Sequence, residues 1–123
     1  MKLAIVGSRT FNNYEMLVEF IQKNYNIDDI THIVSGGAKG ADSLGEQFAE
    51  EFDKEKIIFP ANWKKYGKSA GFKRNADIIE NCDECICFWN GFSHGTKHDI
   101  ELCEKMNKPY KICYLKEKKE QLK

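Results

Sequence analysis

The chain has 123 residues, of which 41% are hydrophobic, and its 19 basic side chains balance 19 acidic ones. This length is sufficient for one domain with its own core. The zero net charge makes duplex nucleic acid an unfavourable partner, because sequence-independent duplex binding draws on a positive excess. No apolar segment approaches the roughly 18 residues of a membrane span, and the first one is too short for a signal peptide, so we expect a cytoplasmic protein without a membrane segment.

Five short segments rich in Ile, Val and aromatic residues are typical of buried strands. In chain order they are KLAIV (2–6), HIVS (32–35), KIIF (56–59), ECICFW (84–89) and YKICYL (110–115). Four amphipathic segments with helical spacing separate them, at about 14–25, 41–52, 70–81 and 96–107. Asn12 or Asn13 is the expected N-cap of the first helix, and Ala76, Ile79 and Cys82 are expected on the inward side of the third.

The alternation of strands and helices predicts the fold class. Successive strands joined by helices form a parallel sheet through right-handed crossovers, with helices on both faces. We predict an α/β, Rossmann-like three-layer sandwich with a mostly parallel sheet in strand order 3-2-1-4-5. This domain is expected to span residues 1–115, and the segment KEKKEQLK (116–123) is expected to be a charged C-terminal tail.

The five cysteines are an odd number, which favours reduced thiols in a chain without an export signal. The segment CDEC, with Cys87 close by, raises the alternative of a metal or redox site. However, Cys85 and Cys87 lie two apart in an apolar strand, so both side chains point to the same buried face. We therefore interpret the thiols as core residues and predict no metal site and no cofactor.

Three unusual segments follow predicted strands: GSRTF (7–11), SGGAKGAD (35–42) and WNGFSHGT (89–96). Ligands of doubly wound sheets bind beyond the carboxyl ends of the strands, where the strand order reverses. The second and third segments lead into helices, whose free N–H groups and positive dipole end attract anions. We expect phosphate on Gly36, Gly37, Ala38 and Gly40, or on Gly95 and Thr96. The alternative is that these glycines only shape tight turns.

The connection PANWKKYGKSAGFKRN (60–75) is longer than a strand-to-helix link requires, and long ordered loops tend to be functional. Trp63 and Tyr66 have the aromatic surface to stack on a base, and Lys68 and Arg74 have the charge to hold phosphate. We predict an irregular loop that closes the ligand site. The alternative is a surface loop whose basic residues are solvated.

Together these four motifs resemble the YspA-type, cpYpsA-related branch of the SLOG superfamily. This Rossmann-like group also contains the LOG phosphoribohydrolases and the DNA-processing protein A family. The resemblance extends over most of the chain, from the first strand to the fourth helix. It implies a nucleotide or a nucleotide-derived small molecule as the ligand.

The same resemblance implies two candidate catalytic residues. LOG-type enzymes cleave the N-glycosidic bond of a nucleoside monophosphate with an Arg at a helix start and a Glu in a G-T-x-x-E segment. Arg74 and Asp99 stand at the matching places here. The shorter carboxylate and the loop NGFSHGT, in place of Pro-Gly-Gly-x-Gly-Thr, favour binding over rapid hydrolysis. An alternative role for Asp99 is a first-turn acid that stabilises the helix dipole.

We therefore predict a ligand site over strands one and four, with phosphoribohydrolase activity and single-stranded nucleic acid binding as alternatives. Trp89 or Trp63 is expected to flank the base or ribose, and Asp42 to orient a hydroxyl or to cap its own helix. His94 and His98 are four residues apart, but His94 is expected before the helix start, so the two side chains need not share a helix face and we predict no metal site there. His94 is expected to contact the ligand instead. The predicted ligand residues are Gly7, Ser8, Arg9, Gly36, Gly37, Ala38, Gly40, Asp42, Trp63, Tyr66, Lys68, Asn75, Trp89, Gly95 and Thr96. The oligomeric state stays open, a homo-oligomer included.

Overall fold

A computed structural model describes residues 1–115, so the predicted charged tail at 116–123 lies outside the described residues. The strands are β1 (Lys2–Gly7), β2 (His32–Ser35), β3 (Glu55–Ile58), β4 (Glu84–Trp89) and β5 (Tyr110–Tyr114). The helices are α1 (Tyr14–Asn24), α2 (Ala41–Glu51), α3 (Trp63–Tyr66), α4 (Ala70–Glu80) and α5 (His94–Lys105), with 3-10 turns at Ile27–Asp29 and Gly67–Ser69. Among the described residues, no helix is long and apolar enough to cross a bilayer.

The five strands form one sheet in the order β3-β2-β1-β4-β5. Each neighbouring pair is parallel, so the predicted Rossmann-like fold and strand order are confirmed. From β1 the chain proceeds outward to β2 and β3 on one side, and then to β4 and β5 on the other. The strand order therefore reverses between β1 and β4, and a crevice for ligands is expected at the carboxyl ends of these two strands.

Alternating side chains of β1 and β4 supply two hydrophobic cores, one on each face of the sheet. Leu3 and Phe88 belong to the core beneath α1 and α2. Ala4 and Cys87 belong to the core beneath α4 and α5. Because both faces are covered by helices, the two central strands are apolar and buried over residues 3–6 and 85–88, as the sequence indicates.

Four of the five cysteines lie in the second core, and Cys113 packs against the first, so the prediction of core thiols is confirmed. Cys82, Cys85, Cys87 and Cys103 are buried, and all five are free thiols. The Sγ atoms of Cys85 and Cys87 are 3.9 Å apart, which confirms that the two side chains share one face of β4. Burial raises the pKa of the Cys82 thiol to about 12, so this group stays protonated and unreactive. Within residues 1–115, no group of three or more His, Cys, Asp or Glu side chains is arranged to hold a metal ion.

The helix α4 begins at Ala70, as predicted, but the prediction of about ten irregular residues before it is wrong, because residues 63–69 form a short helix and a 3-10 turn. The Asn62 side chain accepts a hydrogen bond from the Lys65 amide at 3.1 Å and so caps α3. Gly67, with φ of 56°, ends this short helix, and a 3-10 turn leads directly into α4. The segment is therefore a folded arm next to the crevice.

Three smaller expectations are settled by the helix ends and faces. Asn13, and not Asn12, caps α1, because its side chain accepts from the Met16 amide at 3.0 Å. The helix α5 begins at His94, two residues before the predicted start, because Ser93 supplies its N-cap. The inward face of α4 carries Asn75, Ile78 and Ile79, whereas the predicted Ala76 is only partly buried.

Two glycines allow three chain segments to meet at the carboxyl end of β1. A Cβ on Gly7 would lie 2.3 Å from the Phe88 carbonyl oxygen, and a Cβ on Gly40 would lie 2.3 Å from the Ser8 carbonyl oxygen. Two backbone hydrogen bonds stabilise this junction. The Ser8 amide donates to the Phe88 carbonyl oxygen at 2.9 Å, and the Ala41 amide donates to the Ser8 carbonyl oxygen at 3.2 Å. The close approach therefore places Ser8 between β4 and α2.

This junction predicts different costs for two alanine substitutions. Gly40 and Gly67 have similar backbone angles, with φ and ψ of 77° and −128° at Gly40 and of 56° and −133° at Gly67. No heavy atom lies within 4 Å of a Cβ built on Gly67. Gly67→Ala should therefore cost only the backbone strain, about 1–3 kcal/mol. Gly40→Ala should cost about 1–3 kcal/mol more, because its Cβ overlaps the Ser8 carbonyl. Equal shifts of the urea midpoint in the two variants would contradict the tight junction.

Candidate functional site

The crevice at the carboxyl ends of β1 and β4 contains a cavity of about 460 Å³. It brings together twelve of the residues that the sequence singled out, drawn from the end of β1 and the loop after it, the two glycine segments, the helical arm, α4 and α5. These residues are Gly7, Ser8, Arg9, Ala38, Asp42, Trp63, Lys68, Arg74, Asn75, Gly95, Thr96 and Asp99. Phe72 also lines this cavity, although the sequence analysis did not include it.

A second cavity of about 330 Å³ adjoins the first. Gly36, Gly37 and Lys39 line it, together with residues of the main cavity such as Arg9 and Arg74. The two spaces therefore form one cleft, and the Arg9 and Arg74 side chains lie between its parts. Lys39 was missed because it stands inside a glycine segment in which we considered only the backbone.

Three predicted ligand residues line neither cavity. Gly40 belongs to the junction at the end of β1. Tyr66 lies on the outer side of the arm, where the ammonium groups of Lys65 and Lys73 are 5.2 and 4.8 Å from its ring centroid. The Trp89 indole N–H donates to the Ser93 carbonyl oxygen at 3.0 Å, so this ring is part of the support beneath α5. Ligand contacts by these three residues stay predictions. The predicted ligand contact of His94 also stays a prediction, because His94 lines neither cavity.

The glycine segment after β2 is held by its own side chains. The Gly37 amide donates to Ser35 Oγ at 3.2 Å, and the Ala38 amide donates to Asp42 Oδ2 at 3.1 Å. Asp42 therefore fixes the loop and does not cap α2, whose N-cap is Gly40. These two amides already have acceptors, which leaves them poorly placed to hold a phosphate.

The floor of the cleft carries two buried polar atoms without a partner. Ser8 is 3% exposed and Asp99 is 4% exposed. Within residues 1–115, Ser8 Oγ and Asp99 Oδ1 have no hydrogen-bond partner. Buried polar groups in native proteins are nearly always paired, so these two atoms mark the place where a bound polar group would complete the structure.

The environment of Asp99 favours its uncharged form. Burial raises the pKa of this carboxyl well above its usual value, the negative charge of Asp42 raises it further, and the nearby Arg74 only partly opposes them. The interpretation of Asp99 as a first-turn acid is wrong, because α5 begins at His94 and places Asp99 in the second turn. A neutral carboxyl there can donate a hydrogen bond as well as accept one.

Arg74 is oriented by two hydrogen bonds on the wall of the cleft. Its Nη1 donates to the Gly36 carbonyl oxygen at 2.9 Å, and its Nε donates to Asn75 Oδ1 at 3.2 Å. Asn75 in turn contacts His98, with Nδ2 and Nδ1 3.2 Å apart. Nothing in the sequence alone assigns His98 a role, because a lone histidine on a helix carries no signal until its neighbour across the interface is known.

A sequence model of the YspA, cpYpsA-related SLOG family matches residues 1–66. This range includes β1, the segments 7–11 and 35–42, and α3. The chain belongs to this family. The match covers just over half of the chain and ends before α4, so Arg74 and Asp99 lie outside it. The resemblance stated from the sequence motifs is thereby confirmed.

Among individual relatives, the Gene 61 protein of Mycobacterium phage D29 is 34% identical over 83 residues, which are 63% of this SLOG chain and 66% of the phage protein. The fold is also that of two solved structures of DNA processing protein A. The Streptococcus pneumoniae protein has a TM-score of 0.71 and 21% identity, over 90% of this chain and 49% of that one. The Helicobacter pylori protein, whose structure describes a single-stranded DNA binding mode, has a TM-score of 0.66 and 20% identity, over 91% and 64%. The chain therefore spans less than two thirds of the length of each of these relatives.

The buried carboxyl on the floor predicts a pH-dependent stability. An unfolded Asp releases its proton near pH 3.9, whereas folded Asp99 keeps it to higher pH, so the wild type should lose stability as pH rises from about 4 through the folded pKa. Asp99→Asn removes this loss and should be the more stable protein at pH 7.5, on the order of 1–3 kcal/mol. The difference should vanish near pH 4.

The measurement is urea unfolding of both proteins between pH 4 and pH 8. Asp77→Asn is the matched control, because Asp77 is an exposed carboxyl on α4. A wild type that is more stable than Asp99→Asn at pH 7.5 would mean that the Asp99 carboxylate is charged and paired.

Proposed function

We propose that this SLOG protein binds a small nucleotide-derived ligand in the cleft at the carboxyl ends of β1 and β4. The observation that carries this proposal is the division of the cleft into a cationic rim and a polar floor. Arg9, Lys68 and Arg74 supply the positive charge, whereas the floor presents the unpartnered oxygens of Ser8 and Asp99. Such a division fits a ligand with a charged phosphate and an uncharged hydroxylated part.

The phosphate is assigned to the cationic side chains and not to the glycine amides. The Gly37 and Ala38 amides are already bonded to Ser35 and Asp42. Arg9 lies between the two parts of the cleft, and its side chain is exposed. Hydrogen bonds from a guanidinium group to a phosphate are strong, so Arg9 and Arg74 are its preferred partners.

The base is assigned to the aromatic side of the cleft. Trp63 and Phe72 line the main cavity, and each keeps 55% of its surface exposed. A large aromatic ring that stays this exposed beside a polar cavity is well placed to stack on a base. The sugar connects base and phosphate and therefore lies nearest the floor, where Ser8 and Asp99 need hydrogen-bonding partners.

The proposal includes binding without rapid hydrolysis. Arg74 and Asp99 line the same cavity, as a phosphoribohydrolase would require. However, the raised pKa of Asp99 favours a neutral carboxyl, which does not stabilise a positively charged ribosyl centre. The Arg74 guanidinium also donates one of its hydrogen bonds to the Gly36 carbonyl oxygen, so that N–H group is not free for a substrate.

A second candidate function is single-stranded nucleic acid binding, favoured by the outer side of the arm. Lys65 and Lys73 are exposed there and lie over the Tyr66 ring, and the exposed Trp63 and Lys64 are close by in the chain. Aromatic and basic side chains are the groups that hold single strands. The zero net charge of the chain weighs against it, and the enclosed polar floor favours a small ligand. The cytoplasmic location and the oligomeric state stay predictions.

The proposed function predicts a difference between two charge-removing variants. Arg9→Ala deletes a cation inside the cleft, whereas Lys64→Ala deletes an exposed cation that lines neither cavity. Calorimetric titration with nucleoside mono- and diphosphates should give about tenfold weaker binding for Arg9→Ala, the usual effect of losing a hydrogen bond to a charged group. Lys64→Ala should bind like the wild type.

The same variants decide the second candidate. If an oligothymidylate binds the wild type, Lys64→Ala weakens it, and nucleotides up to millimolar concentration produce no heat, then the arm is the binding surface and the small-ligand proposal is wrong.

A further inference from the structure

A chain of hydrogen bonds runs from the cleft wall through α4 to α5. Arg74 Nε donates to Asn75 Oδ1 at 3.2 Å, and Asn75 Nδ2 lies 3.2 Å from His98 Nδ1. Asn75 is only 7% exposed, so its amide depends on these protein partners. His98 lines neither cavity, so its contacts with the cleft lining run through this chain and through the Phe72 ring, which packs against it.

The chemistry of the three side chains fixes the direction of each hydrogen bond. A guanidinium group has donors only, so the oxygen of the Asn75 amide must face Arg74. The amide nitrogen, which is a donor, then faces His98. His98 Nδ1 must therefore accept, which requires a neutral ring with its proton on the other nitrogen.

Protonation of His98 is incompatible with this arrangement. A protonated ring carries N–H groups at both nitrogens, so Nδ1 would point a donor at the Asn75 amino group. Rotating the Asn75 amide would only transfer the conflict, because its amino group would then face the Nε donor of Arg74. In either orientation one hydrogen bond of the chain is lost.

The surroundings of His98 keep the ring neutral near pH 7. On α4, the Phe72 ring packs edge-on against it, with centroids 4.6 Å apart, and the Arg74 cation lies beyond Asn75. On α5, Glu101 raises the pKa of His98, but the larger effect is burial, which lowers it below the usual value. The neutral form that the hydrogen bonds require is thus the form that the fold favours.

We infer that His98 is a positioning residue for Arg74: the neutral ring holds Asn75, and through it the guanidinium, in the orientation that faces the ligand. The inference rests on the proposed function, in which Arg74 binds the phosphate. When the pH falls through the pKa of His98, the ring is protonated and one hydrogen bond of the chain is lost. The Arg74 guanidinium is then held less firmly, and phosphate binding weakens. His98→Asn separates this role from packing, because the Asn side-chain oxygen takes the place of Nδ1 and accepts without titrating.

The direct test uses the protein without ligand. The Arg74 Nε–H signal is followed by ¹H–¹⁵N NMR from pH 7.5 to pH 5 in the wild type, in His98→Asn and in His32→Asn. His32 is a matched control on β2, where its Nδ1 contacts Thr31 and not the cleft. The signal should shift together with the His98 ring in the wild type and in His32→Asn, and should not move in His98→Asn. An Arg74 signal that ignores pH in the wild type, or that titrates equally in His98→Asn, would overturn the inference. If His98→Asn does not fold, the wild type still decides, because an Arg74 signal that does not follow the titration of the His98 ring overturns the inference.

A binding arm uses adenosine 5′-monophosphate as the probe. Between pH 7.5 and pH 5 the wild type should lose about two- to tenfold more affinity than His98→Asn, the effect of one hydrogen bond. Titration of the phosphate of the probe affects both proteins equally, so it does not contribute to the difference between them. Equal losses overturn the inference while leaving the proposed function standing. If the probe binds neither protein, the proposed function has lost support, and the Arg74 signal still decides whether His98 positions the guanidinium.

Discussion

The cleft depends on the close approach of three backbone segments at the end of β1. The Ser8 amide bonds to the Phe88 carbonyl, and the Ser8 carbonyl accepts from the start of α2, with Gly7 and Gly40 leaving no room for a side chain. This contact draws the β1 loop between β4 and α2, which places Arg9 at the rim and Ser8 Oγ on the floor. Gly7 and Gly40 therefore serve backbone contact, and the charged groups of the cleft come from side chains.

Much of the fold was predictable, because its signals are local. The strands, their parallel pairing and the burial of Cys85 and Cys87 follow from apolar periodicity and from the alternation of elements. The helical arm was missed, because a cap such as Asn62 acts within a few residues and competes with glycines that favour a loop. The partners of His98 were out of reach, because they depend on how α4 packs against α5.

The charges of the site follow from where its groups are buried. On the floor, Asp99 is enclosed and close to Asp42, so the protonated form is favoured. At the rim, Arg9 and Lys68 stay exposed and charged. Under the proposed function, cations at the rim and a neutral Asp99 at the floor would hold an anionic ligand by one end only, which gives it direction as well as affinity. The same geometry disfavours catalysis that needs a carboxylate at the floor.

The proposal that the cleft binds a small nucleotide-derived molecule can be tested by native mass spectrometry of the purified wild type, mixed in turn with common ribonucleotides and with an oligothymidylate. We expect at least one nucleotide to give a complex of one ligand per chain that survives transfer to the gas phase, either from the mixture or already carried from the cell. A protein that retains none of the nucleotides, while it forms a stable complex with the oligothymidylate, would contradict it.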